Sequence, residues 1–144
     1  AARATPMGLL EAGAEEVVLL NRSKERARAE ARRIGGQKAR VANLATDLRG
    51  QSFDLVVNST SLGLSPDDAV PFDFELLTRV GGAMDLVYSP EPTPFMKAAE
   101  KFGIRVADGR DMLVQQGAVA FERWWNVPAP LEAMKKALEG AIQG

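Results

Sequence analysis

Apolar positions in this chain fall into short solid runs separated by stretches with helical spacing. The run EVVLL over 16–20 and the segment FDLVVNST, with its core at 53–57, predict strands buried on both faces. GGAMDLVY predicts a third such strand over 82–86, and IRVAD a fourth short one. KARVANL holds a further short strand near Val41. Between these runs the spacing turns helical. Residues 2–12 read as an Ala-rich helix ended by Gly13. Ser23 can cap a basic helix over 24–34, which Gly35-Gly36 stops. FDFELL suggests a short helix, and Pro94 can start another over 94–102. A long helix follows over 109–125. A final amphipathic helix over 130–142 carries Leu131, Met134, Leu138 and Ile142 on one face.

Strands alternating with helices imply βαβ units and a parallel sheet. The fold class expected is therefore α/β, a Rossmann-like doubly wound parallel sheet followed by C-terminal helices. Such sheets bind ligands at the carboxyl ends of their strands. The places to look for chemistry are the loops after Leu20, Val57 and Leu86.

Composition narrows the chemistry. The 144 residues contain no cysteine and no histidine. That removes disulfides, thiol nucleophiles, thiolate or imidazole metal sites and a Ser-His-Asp triad. Any acid–base step falls to Asp, Glu, Lys or Tyr. The net charge of −1 gives no electrostatic footprint for nucleic acid or an anionic membrane. No stretch approaches the about 18 consecutive apolar residues of a membrane-spanning helix. The first residues lack the pattern of a signal peptide, so a cytoplasmic location is the default expectation.

Four clusters could carry chemistry. Asn21-Arg22-Ser23, with Arg26 one helical turn beyond Arg22, ends a strand and opens a helix. In a dinucleotide fold a carboxylate there would bind a ribose hydroxyl, whereas an arginine can grip a 2′-phosphate. The plain alternative is a solvated basic helix face. In VVNSTSLGL a strand runs into Ser59, Thr60, Ser61 and Gly63, where hydroxyls and open backbone can meet a ligand, or where the chain simply turns. Tyr88, the one tyrosine, follows Asp85-Leu86-Val87 at a strand end. It can orient a polar substrate or pack as a half-buried aromatic. Asp85 reads as a structural acceptor there. Gly109, Met112, Gln116 and Ala120 share one helix face, on which Gln116 needs a polar partner. Trp124 and Trp125 read as packing residues, against another domain or the helix over 130–142.

Asn21-Arg22-Ser23, Val57-Asn58-Ser59-Thr60-Ser61, Asp85-Leu86-Val87-Tyr88, Thr93-Pro94-Phe95 and the run from Asp108 to Gln116 occur in an order that resembles shikimate dehydrogenase. The resemblance covers the whole chain and matches the family's C-terminal half. It implies reversible hydride transfer between NADPH and 3-dehydroshikimate, giving shikimate, in aromatic amino-acid biosynthesis. It implies that Asn21, Arg22 and Ser23, assisted by Arg26, hold the adenosine 2′-phosphate of NADP. Thr60 and Ser61 would lie beside the cofactor, Leu86 would flank the nicotinamide, and Gly109 and Met112 would approach its end. Tyr88 and Gln116 would reach the shikimate. No nucleic-acid or membrane partner is implied, and a homodimer stays open.

The chain also departs from the family pattern. The catalytic Lys–Asp pair belongs to the family's N-terminal domain, and these residues do not include it. The Gly-rich phosphate loop is not present either, and Ala1-Ala2-Arg3-Ala4 resembles the residues just after it. The expected domain is therefore a partial NADP-binding domain over 1–144. Its first, central strand would be lacking, leaving two strand edges unpaired. Residues 109–144 would pack toward the absent substrate domain. Leu62 and Leu64 make one loop more apolar than the family's, and Arg110 and Asp111 add charge to another. Two other readings compete with an active NADP enzyme. One is a non-catalytic nucleotide-binding or interaction module. The other is an NAD-using quinate/shikimate dehydrogenase, against which Arg22 and the lack of a carboxylate at position 21 both argue.

Overall fold

A computed structural model of the chain describes residues 4–34, 36–65 and 67–143. They divide into two units. One comprises Ala1–Asp54 and Phe72–Val80, the other Leu55–Pro71 and Gly81–Gly144.

In the first unit, α1 (Ala4–Glu11) leads to β1 (Val17–Leu20), α2 (Lys24–Ile34) and β2 (Ala39–Ala42). The α1 segment ends as expected at Gly13, which supplies the positive φ of 99° that a helix stop favours. Residues 2–3 and Gly35, part of the expected boundaries, lie outside the described residues. Strands β1 and β2 are parallel, with Val17 opposite Ala39 and Leu20 opposite Ala42. The α2 helix buries Ala27 and Ala31, four residues apart, so a stripe of small side chains seats an otherwise charged helix. Two single 3-10 turns, Ala45–Leu48 and Phe74–Leu76, bury Leu48, Phe74 and Leu76. The helix expected from FDFELL is thus one turn, whose cap is Asp73 accepting from the Glu75 amide.

A second sheet has the order β3-β4-β5, from β3 (Ser52–Asn58), β4 (Arg79–Asp85) and β5 (Val106–Ala107). Ala83 faces Val106 in the parallel β4–β5 pair. In the second unit α3 (Pro94–Lys101) follows β4. Thr93 caps it by accepting from the Met96 amide at 3.2 Å, with Pro94 at the first turn. Its buried stripe, Phe95 and Ala99, forms the unit's core together with Ala83, Val87, Val114 and Ala118. The α4 helix (Arg110–Trp125) ends at Asn126 in the left-handed region and turns into α5 (Leu131–Gln143). The face Leu131, Met134, Leu138 and Ile142 is half-buried, and Gly117 of α4 brings the Met134 methyl close.

One expectation changes. The strands are not buried on both faces: in β3 Leu55 is 41% exposed. A strand's faces are covered by what packs above and below the sheet, and the Leu55 side of β3 is left partly open. Trp124 and Trp125, expected to pack against another domain or the helix over 130–142, are 80% and 67% exposed in this chain, and Trp125 lies beside the Phe121 ring.

A Cβ on Gly109 would lie 2.4 Å from the Leu86 carbonyl oxygen, whereas one on Gly140 within α5 would meet nothing within 4 Å. Gly109→Ala should therefore cost about 1–3 kcal/mol of overpacking in urea unfolding. Gly140→Ala should be neutral or gain up to about 1 kcal/mol of helix propensity. The loop 63–68 yields a second expectation. The Ser65 and Gly63 amides, then that of Leu64, hold the Asp68 carboxyl below its ordinary value. A depressed acid orders its loop above its ordinary pKa and releases it as pH falls through the lowered value. The Gly63 and Ser65 amide proton shifts should hold steady down to about pH 4, the ordinary carboxylate range, and move only below it. Movement at higher pH would contradict this.

Candidate functional site

The carboxyl end of β1 in the first unit runs into Asn21-Arg22-Ser23. The Asn21 side chain accepts from the Ser23 amide at 2.9 Å, an Asx turn that reverses the chain toward α2. Ser23 Oγ accepts from the Arg26 amide at 3.3 Å and so caps the helix. It also donates to Glu25 Oε2 at 3.3 Å. The Glu25 carboxyl is held below its usual range by its own backbone amide, then by the Ser23 hydroxyl. Arg22 and Arg26 are exposed and in no ion pair among the described residues, whereas Arg28 reaches Asn43 Oδ1 at 3.3 Å. The helix start thus offers two guanidinium groups and the positive end of an 11-residue helix to an anion. No carboxylate stands at position 21.

In the second unit the ends of β3 and β4 meet through a buried polar network. Asp85 is fully buried. Its Oδ1 accepts from Asn58 Nδ2 and the Val87 amide, each at 3.0 Å, and its Oδ2 accepts from Thr93 Oγ1 at 2.6 Å. Asn58, 4% exposed, also donates to the Leu62 carbonyl at 3.0 Å. Its Oδ1 accepts from Thr60, both the amide at 3.1 Å and the hydroxyl at 2.8 Å. The Thr60 oxygen accepts in turn from the Leu62 amide at 3.1 Å. Among the described residues no buried side-chain N or O atom lacks a partner.

This network assigns the sequence-predicted residues distinct parts. The Thr60 hydroxyl proton goes to Asn58, so Thr60 shapes its loop, while Ser61 beside it is exposed. Leu86 is half-buried and its amide donates to the Asn58 carbonyl at 2.9 Å. Gly109 is a glycine because Leu86's carbonyl leaves no room for a Cβ. It starts α4, on which Met112 is half-buried and Gln116 exposed. Tyr88 is 46% exposed. Neither Tyr88 nor Gln116 has a hydrogen bond among the described residues, so both hold free polar groups for a ligand. Reading the residues one by one missed Thr93 and Asp68. Thr-Pro before an apolar run is a helix-start signature, and it could have marked Thr93.

Among the described residues no helix is long and apolar enough to cross a membrane, and no group of three or more acidic side chains could hold a metal ion. Residues 109–139 match the family described as shikimate 5′-dehydrogenase C-terminal domain. A shikimate dehydrogenase (NADP(+)) from Desulforamulus reducens is 37% identical over 99% of this chain and 52% of its own length. The crystal structure of an Ael1 enzyme from Pseudomonas putida superposes with a TM-score of 0.83 at 35% identity, covering 95% of this chain and 50% of that one. That of shikimate 5-dehydrogenase from Thermus thermophilus, in complex with NADP(H) and shikimate, gives 0.77 at 36% identity over 92% and 48%. The chain spans about half the length of the curated relatives it matches. Similar in sequence over nearly its whole length and similar in fold, the chain belongs to the shikimate dehydrogenase family and corresponds to the C-terminal half of its members.

Proposed function

We propose that these residues are the cofactor-binding part of an NADP-dependent shikimate dehydrogenase, which interconverts 3-dehydroshikimate and shikimate. The observation that carries the reading is the pair of guanidinium groups, Arg22 and Arg26, at the start of α2, both exposed and in no ion pair among the described residues. A 2′-phosphate needs charge-assisted donors there, and an NAD site would instead place a carboxylate at the strand end. Ser23 and Asn21 shape that helix start, so the arginines are presented on a fixed turn. The names of the relatives, which specify NADP(+), support the same choice of cofactor.

NADP, when bound, supplies the hydride. The chain's own residues position the reactants. Leu86 flanks the nicotinamide with an apolar side chain, and Met112 and the backbone at Gly109 approach it from the start of α4. Ser61 offers a free hydroxyl to the cofactor beside the Thr60 turn. Tyr88 and Gln116 supply the polar groups that orient the substrate's hydroxyl and carboxylate oxygens. The proton delivered to the substrate's carbonyl oxygen comes from the Lys–Asp pair that the family carries in its N-terminal half. Residues 109–144 close against that half, which gives the exposed tryptophans their covering.

Two experiments test the reading. Arg22→Ala should weaken NADP⁺ binding about 10- to 100-fold, the worth of about 1.5–3 kcal/mol in charged hydrogen bonds, and leave NAD⁺ within about threefold by titration calorimetry. Equal losses for both nucleotides would refute the 2′-phosphate assignment. The purified 144-residue chain should also produce no measurable NADPH-dependent reduction of 3-dehydroshikimate. Steady turnover would show that the proton donor lies within these residues.

A further inference from the structure

We propose that Asp85 is a positioning residue for the nicotinamide end of the cofactor, acting through Asn58 and Thr93. The proposal rests on the cofactor reading above and adds to it a part for three residues which that reading leaves without a role.

A fully buried carboxylate is costly unless every lone pair facing the protein is met. Here three donors converge on it from three elements: Asn58 at the end of β3, the Val87 amide just beyond β4, and Thr93 at the cap of α3. The two loop ends that carry Thr60, Ser61 and Leu86 are tied to this one side chain. Asn58 passes the constraint to the 60–62 turn through four hydrogen bonds of 2.8–3.1 Å, counting the Thr60–Leu62 contact. The Val87 amide fixes the backbone on one side of Leu86, and the Asn58 carbonyl takes the Leu86 amide. The Leu86 carbonyl then abuts Gly109 and sets where α4 begins. Gly63, at φ 110°, lies against Thr93 and Asp85 Oδ2, and its conformation would strain any residue with a side chain.

The linkage is directional. The Thr93 hydroxyl gives its proton to Asp85 and accepts from the Met96 amide on a lone pair, and the Asn58 side-chain amide bonds Asp85 and the 60–62 turn at once. Such a chain behaves as a unit, because each bond polarises the next. Loosening Asp85 therefore displaces the nicotinamide-side backbone and leaves the start of α2 untouched, since Asn21, Ser23 and Arg26 make their hydrogen bonds locally.

The test compares two probes on the same purified chain by titration calorimetry. Adenosine 2′,5′-bisphosphate reports only the adenine and phosphate end, and NADPH reports both ends. Asp85→Asn and Thr93→Val should each weaken NADPH about tenfold and leave the bisphosphate within about twofold. Thr93→Ser, which keeps the hydroxyl, should restore NADPH to within about twofold of wild type. If Asp85→Asn fails to fold, the Thr93 pair decides alone. Equal weakening of both probes, or no weakening of either, overturns the positioning role. A wild-type chain that binds neither probe overturns the cofactor reading and this inference together.

Discussion

The buried Asp85 carboxylate is the constraint on which the second unit depends. It is the largest polar side chain wholly removed from solvent, and it has no charged partner among the described residues. Its stability comes from three converging donors, each drawn from a different element. Losing one donor would leave a buried acceptor short, at a cost of about 1–3 kcal/mol, more than an exposed contact is worth. The strand ends, the α3 cap and the turn at Gly63 are therefore not free to vary independently. This is a local rule with a functional consequence: the positions that face a ligand are loop positions, and loops hold geometry only when something anchors their ends.

The first unit is organised differently. No buried charge holds it together among the described residues. Small residues, Ala27 and Ala31, let α2 lie close to its strands, and local turns at Asn21 and Ser23 aim the helix start. Arg22 and Arg26 at that start are exposed, which leaves them open to an anion. Glu25 sits on the same turn with its carboxyl drawn below the usual range, so negative charge is already tolerated at that helix end.

Much of this was legible in the sequence, for identifiable reasons. The solid apolar runs located β1, β3 and β4 within about one to three residues at each end, because strand periodicity is a strong signal. Ser23 and Pro94 marked helix starts because the chemistry of a helix's cap and first turn is local. What the sequence concealed was non-local. The exposure of Leu55 depends on what packs against that face of the sheet, which no run of residues encodes. The hydroxyl of Thr60 looked like a ligand group, yet its proton goes to Asn58, two residues back in the chain. Gly109 looked like a close approach to a cofactor. It is required first by the Leu86 carbonyl, which comes from a distant part of the chain. Asp85 reads as a structural acceptor, but its side-chain donors lie 27 and 8 residues away and are visible only in three dimensions.

Cooperation within that network is the central claim, and native-state hydrogen exchange in Asp85→Asn tests it most directly. The Val87 amide bonds to Asp85 itself, whereas the Thr60 and Met96 amides bond to Asn58 and Thr93. If the network acts as a unit, all three amides lose protection together, while the Arg26 amide, bonded locally to Ser23, keeps its own. If only Val87 changes, Asp85 is one acceptor among many and the account of the strand ends fails.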